Sequence, residues 1–269
     1  MPEGPAARAL PDRRAALFAL LGVALAGCGG GGSADGESAM AGTVQTRSLP
    51  ARSNGTTYPL NIYLPPGIAA IRAGVPVIYL LDGDSRFAAV VDIIERTRAP
   101  VVVVGIGNEA LRGRDYVPAN VCTPGGGGEG AYLDFIRLDL IPFVETSFGG
   151  DPQRRILLGH SHGGSFVLYA LFSEAPAGRH FAAYLASDAS IDCMSATVYG
   201  WESAYAAANP SLAVRLHISY SANTANTAFA QQVQGRGYAG LAMAAKFYAG
   251  GHIGMIPLAF SEAIAFALA

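Results

Sequence analysis

The chain has 269 residues, 51% hydrophobic and 14% charged, with 18 basic against 20 acidic side chains and a net charge of -2. So apolar a composition excludes disorder over most of the length, and without a basic stripe it gives nucleic-acid binding no electrostatic support. Three cysteines are too few for a disulfide scaffold or a four-thiolate zinc site, and the length suits one large domain.

Arg8, Arg13 and Arg14 precede an uncharged apolar run over 15–26. A membrane-spanning helix needs about 20 such residues, so the run reads as the core of a secretion signal. It ends in Leu25-Ala26-Gly27-Cys28. That ending resembles the lipobox of bacterial lipoproteins, in which the cysteine is lipidated and becomes the new N-terminus. An ordinary secretory signal that ends near a cysteine is the plainer alternative. The Gly/Ser-rich stretch that follows cannot build a core and reads as a flexible tether. The expected organisation is a signal peptide over 1–27, a tether over 28–42 and a single domain over 43–269. The protein would then be extracytoplasmic, lipidated at Cys28, and in touch with a membrane only through that anchor.

Within the domain, strands are expected over 43–49, 57–64, 76–82, 101–107, 155–159, 182–187, 212–220 and 245–248. The first two mix polar with apolar residues, as half-exposed antiparallel strands do. Val77-Ile78-Tyr79-Leu80-Leu81 and Val101-Val102-Val103-Val104 are nearly unbroken apolar runs, suited to a parallel sheet buried on both faces. Helices are expected over 87–98, 130–147, 163–173 and 256–268. This alternation predicts an α/β fold, a mostly parallel sheet with helices on both faces. The segment 117–130, with Pro118, Cys122, Pro124 and four consecutive glycines, reads as a long loop at the carboxyl edge, where α/β sheets bind ligands.

The most informative stretch is Leu157-Leu158-Gly159-His160-Ser161-His162-Gly163-Gly164. An apolar strand runs into Gly-x-Ser-x-Gly and then into a helix. A serine hydroxyl attacks a carbonyl only if it projects from a sharp strand-to-helix turn, and small neighbours let strand and helix approach. Ser161 is the candidate nucleophile. His160 and His162 also read as a His-x-His pair, but two ligands without an acidic or cysteine partner make a weak metal site, so no metal is expected.

The base is found by elimination. His180 precedes a strand and His217 lies within one, whereas His252 follows the last strand in a glycine-rich loop and can reach back to the serine. With the triad order Ser, acid, His, the acid must be Glu174, Asp188, Asp192 or Glu202. Glu174 is about 20 Å along the following helix. The segment after the 212–220 strand carries no carboxylate. Asp188, just past the 182–187 strand, is the favoured candidate. Asp192, Glu202 or a Ser–His dyad oriented by a carbonyl, Asn223 or Asn226 remain as alternatives. The oxyanion-hole amides are assigned to Asp84, after Leu80-Leu81-Asp82-Gly83, and to His162.

With these segments in place the chain resembles the putative esterase family, which includes enterochelin and related siderophore esterases and, more distantly, the mycobacterial mycolyltransferases. The matching pieces are Leu80-Leu81-Asp82-Gly83, Val104-Gly105-Ile106-Gly107-Asn108, Arg114-Asp115-Tyr116-Val117-Pro118, Leu140-Ile141-Pro142-Phe143, the elbow and Gly251-His252. The resemblance implies an α/β-hydrolase fold without a large lid, and a serine enzyme that cleaves carboxylic esters through an acyl-enzyme, with no cofactor. It carries over to Ser161 and His252, and it implies a role for Arg114 near the substrate, a salt bridge within the loop being the other reading. The chain departs from the family where Ser187-Asp188-Ala189-Ser190 replaces Ser-Pro-Ser, and in lacking the usual carboxylate after the next strand. The same machinery could serve acyl transfer, or the domain could bind without catalysis.

In an oxidising compartment Cys122 and Cys193 are candidates for a disulfide that pins the 117–130 loop, the other reading being two separate thiols. Trp201 is a candidate pocket wall or a core residue. The expected partner is a small-molecule ester.

Overall fold

The computed structural model describes residues 42–221 and 224–269. The expected signal, the tether and Cys28 therefore lie outside the described residues, and so does Asn223.

Eight strands form one sheet: β1 Thr43–Pro50, β2 Thr57–Leu64, β3 Val77–Leu80, β4 Val102–Ile106, β5 Arg155–His160, β6 Ala183–Ser187, β7 Arg215–Tyr220 and β8 Ala242–Phe247. Their spatial order is β1-β2-β4-β3-β5-β6-β7-β8. The β1–β2 and β2–β4 pairs are antiparallel and every later pair is parallel. This is the α/β-hydrolase architecture. The unbroken apolar runs are the central strands β3 and β4, buried along their whole length.

The principal helices are α1 Gly83–Thr97, α2 Glu129–Phe135, α3 Ile141–Phe148, α4 His162–Ser173, α5 Ile191–Ala208, α6 Thr224–Gly235 and α7 Ile256–Leu268. A π-helical turn, Ile136–Leu140, joins α2 to α3. Side chains alternate across the sheet, which divides the core in two. Ile78, Leu80, Val103 and Leu158 face α1 and α7 through Val90, Ile94, Phe260 and Ile264. Val77, Tyr79, Val104 and Leu157 belong to the other layer, with Phe135, Phe166, Val198 and Phe229. No helix among the described residues is long and apolar enough to cross a membrane.

Two helices were not anticipated. In α5 the buried positions Ile191, Met194, Val198, Glu202 and Tyr205 keep a helical spacing, but a glutamate in the stripe and Gly200 hide it from a hydrophobicity reading. In α6 the polar run Thr224-Ala225-Asn226-Thr227 has low intrinsic helix propensity, and the helix is held by packing of Phe229, Ala230 and Val233 into the core. Strand β8 begins at Ala242 rather than at 245, where parallel pairing with Arg215 of β7 sets its register.

Candidate active site

Three non-glycine residues at the carboxyl ends of neighbouring strands have positive φ: Asp82 after β3 (φ 53°), Ser161 after β5 (φ 61°) and Asp188 after β6 (φ 41°). Each such conformation costs on the order of 1–3 kcal/mol, and strain of this kind concentrates at functional sites.

Ser161, with ψ -122°, caps α4. Its N–H donates to the Ser187 carbonyl at 2.9 Å, and its own carbonyl accepts from Ser165 N at 3.0 Å. The turn is possible because its neighbours lack side chains. A Cβ on Gly159 would lie 2.4 Å from the Gly163 carbonyl oxygen, and one on Gly164 would lie 2.8 Å from that of Ser187. Ser161 is half-buried, so its hydroxyl stands at the surface of the elbow.

His252 sits in a short helical turn, Gly251–Gly254, after β8. Gly250 at φ 111° and Gly251 at φ 68° fold that turn back toward the elbow. His252 Nδ1 donates to Asp188 Oδ2 at 2.7 Å. The buried Asp188 carboxylate also accepts from Ser221 N at 3.0 Å on Oδ1 and from Ser221 Oγ at 2.9 Å on Oδ2. A proton held on Nδ1 by a carboxylate leaves Nε2 as the basic nitrogen. The ring of His160 lies against that of His252, with centroids 4.4 Å apart. Burial, reinforced by the neighbouring His252, pushes the His160 pKa down to about 3, so it stays neutral beside any imidazolium on His252.

The other acid candidates are engaged elsewhere. Glu202 is buried and accepts from Arg236, Gln232 and Tyr238. Glu174 accepts from His180 and Arg137. Asp192 is exposed in the first turn of α5, and Asn226 donates to the Ala189 carbonyl at 2.8 Å.

The amide of His162 is the first of α4, and that of Asp84 the second of α1. First-turn amides have no intrahelical acceptor and aim partial positive charge outward. Gly83 lets α1 start hard against β4, since a Cβ there would meet the Gly105 carbonyl carbon at 2.3 Å. Asp82 is bound by Arg112 Nη2 at 3.0 Å, and the same nitrogen donates to the His160 carbonyl at 3.1 Å. Burial pushes Asp82 up to about 6 although Arg112 opposes it.

Arg114 and Trp201 each make a contact of the structural kind that the sequence left open beside a substrate role. Arg114 donates to Asp115 at 2.6 and 2.9 Å, to Tyr58 and to Thr56, because a buried carboxylate next in sequence demands a cation. The guanidinium at the elbow belongs instead to Arg112. Trp201 packs edge-to-face on Tyr169, 5.1 Å between centroids, in the α4–α5 packing about 15 Å of helix beyond Ser190. Cys122 and Cys193 form a disulfide with Cα atoms 5.2 Å apart, tying the glycine-rich loop to the start of α5. Three polar contacts were missed from sequence: Ser221, Ser190 and Arg112. Only Arg112 had a signal, its closeness to Arg114. Among the described residues no three His, Cys, Asp or Glu side chains cluster in a metal-ligating arrangement.

A family model described as "Putative esterase" matches residues 51–245. The ferri-bacillibactin esterase BesA of Bacillus subtilis is 33% identical over 172 residues, covering 55% of this chain and 58% of that protein. The siderophore triacetylfusarinine C esterase of Aspergillus fumigatus is 33% identical over 139 residues, covering 45% of this chain and 46% of its own. The chain thus spans about half the length of the curated relatives it matches. Among solved structures, an IroE-like serine hydrolase from Shewanella oneidensis superposes with a TM-score of 0.75 at 26% identity, covering 82% of this chain and 79% of that one.

Proposed function

The chain belongs to the putative esterase family, and we propose from that premise that it is a serine carboxylesterase acting on siderophore-type esters. The observation that carries the reading is the 2.7 Å His252–Asp188 pair at the same sheet edge as the strained Ser161 elbow. In this reading Ser161 Oγ attacks the ester carbonyl while His252 Nε2 takes its proton. Asp188 holds the imidazole and balances the charge it acquires. The amides of His162 and Asp84 receive the oxyanion. His252 returns the proton to the departing alcohol, and water then releases the acyl group by the same steps.

The substrate class rests on the names of the relatives, two of them siderophore esterases. It is in keeping with a base whose side chain is 49% exposed, which leaves room for a bulky ester. The test uses the chain from Thr43 onward, with Ser161→Ala as control, on p-nitrophenyl acetate, butyrate and octanoate and on a siderophore lactone. Turnover that vanishes in the variant is expected, fastest on the lactone. Lactone hydrolysis no faster than that of the simple esters would remove the siderophore assignment.

We further propose that the enzyme is exported and held at a membrane by lipid on Cys28. The support is the order of basic residues, apolar run and Leu25-Ala26-Gly27-Cys28. Radiolabelled fatty acid should enter the wild-type protein and not Cys28→Ser.

A further inference from the structure

His252 and Asp188 leave one contact of the nucleophile without a role. Ser161 Oγ lies 3.3 Å from Ser190 Oγ. Ser190 Oγ lies 2.9 Å from His162 Nδ1, and Ser190 N donates to the Ser161 carbonyl at 3.3 Å. A hydroxyl from the loop before α5 and an imidazole from the start of α4 therefore stand in line on the serine. Both are half-buried. Burial first, and then the charges of Arg112 and His252, lower the pKa of His162, which favours the neutral ring, whose free nitrogen can accept a proton.

We propose that Ser190 and His162 form a second proton path from Ser161, parallel to His252–Asp188; the proposal rests on the serine-esterase reading above. His162 carries its own proton on Nε2 and accepts from Ser190 at Nδ1, while Ser190 accepts from Ser161. As Ser161 Oγ bonds to the carbonyl carbon, the carbonyl π pair moves onto oxygen. The Ser161 proton passes to Ser190, and the Ser190 proton passes to His162. When the intermediate collapses, the leaving oxygen takes a proton from Ser190, and His162 restores it. Nothing is oxidised or reduced. Hydroxyl hydrogen bonds are normally about 2.5–3.0 Å long, so the 3.3 Å link makes this path subordinate while His252 is present. Its signature is the activity that survives without His252.

The experiment measures hydrolysis of p-nitrophenyl butyrate by the full chain between about pH 5 and 9. It compares wild type, Ser161→Ala, His252→Ala, and His252→Ala combined with Ser190→Ala, Ser190→Thr or His162→Gln. The His162→Gln change keeps the backbone amide, so the oxyanion position is retained. General-base catalysis is worth about 10²–10⁴-fold. His252→Ala should therefore stay at least about tenfold above Ser161→Ala. Adding Ser190→Ala or His162→Gln should bring it to the Ser161→Ala level, and Ser190→Thr should keep it. The residual rate should fall on acidification as His162 takes a proton, Arg112 being the charged neighbour left facing it once His252 is gone. Thermal unfolding of each variant separates loss of the path from loss of the fold. A residual rate that ignores Ser190 and His162, or no residual rate, overturns the second path alone. Wild type no faster than Ser161→Ala overturns the esterase reading and the path with it.

Discussion

Asp188→Asn is the sharpest probe of the site, because the contacts of the carboxylate fix what an amide must do in its place. Three donors converge on Asp188: Ser221 N on one oxygen, and Ser221 Oγ with His252 Nδ1 on the other. An amide has one oxygen and one NH₂. Its oxygen is drawn to the Ser221 amide, which has no other orientation, and the NH₂ then faces His252. A donor at that point forces His252 to accept at Nδ1 and to carry its proton on Nε2, the nitrogen needed as base. The ring stays in place and the chemistry fails. In the serine-protease triad this tautomer error costs about 10⁴ in kcat, equivalent to about 5 kcal/mol at the transition state. We expect a kcat for p-nitrophenyl butyrate about 10³–10⁴-fold lower, with KM within about threefold, since a group that acts only in the transition state leaves ground-state binding alone. Folding stability should fall by only about 1–3 kcal/mol, the penalty for weakening buried charge-assisted bonds. A loss of kcat below about tenfold would refute the assignment. With Glu202 and Glu174 bound elsewhere, it would leave Asp192 or a Ser–His dyad.

Other expectations follow from packing and charge. Gly159→Ala sets a Cβ 2.4 Å from the Gly163 oxygen and should destabilise by about 3 kcal/mol or more in urea unfolding. Gly200→Ala, with nothing within 4 Å on an exposed face of α5, should stabilise by about 0.5–1 kcal/mol. The Cys122–Cys193 bridge joins residues 71 apart, so Cys122→Ser should cost about 4 kcal/mol by chain entropy, read as a melting point about 10 °C lower and matched by wild type in reductant. Asp82 keeps its proton to about pH 6 in the folded protein but only to about pH 4 unfolded. The folded state therefore binds more protons in that interval, and stability falls as pH rises through it. The stability of wild type minus that of Asp82→Asn should drop by on the order of 2 kcal/mol between about pH 4 and 6. Subtracting the variant removes the opposite pH dependence of His160 and His217, whose pKa values burial lowers to about 3 and about 4; a flat difference would refute the assignment.

Much of the fold was legible because its signals are local. The runs at β3 and β4 are unbroken, and the glycines around Ser161 can be read by spacing alone. What escaped depends on contacts between distant segments. The helical stripe of α5 includes Glu202, which is tolerable only because Arg236, Gln232 and Tyr238 surround it, and no local pattern reports that. Arg112 and Arg114 are two residues apart and equally basic. One meets Asp82 and the other Asp115, a choice made by the turn between β4 and the glycine-rich loop. For Trp201 the sequence left pocket wall and core equally open, because its position near a carboxyl edge does not say which way the ring turns. Its place well along α5 sets it against Tyr169 and the core.

The position of the carboxylate shows why elimination could rank the acids without choosing one. Counting strands puts Asp188 one strand too early. Yet β6 and β7 end in register, Ser187 opposite Ser219, and adjacent strands are only about 4.8 Å apart. A left-handed turn at Asp188, fixed by its N–H on the Ser219 carbonyl at 2.7 Å, swings the side chain across that one spacing to the end of β7. There Ser221 supplies two donors where the resembling family usually has the carboxylate itself. The geometry presented to His252 is thus assembled from two strand ends, the charge coming from one and its bracing from the other. Ser221→Ala should therefore weaken the His252–Asp188 pair without touching either residue. We expect a smaller loss of kcat than for Asp188→Asn, about tenfold for one lost bond to a charged group. An unchanged kcat would show that the carboxylate holds its orientation without the hydroxyl.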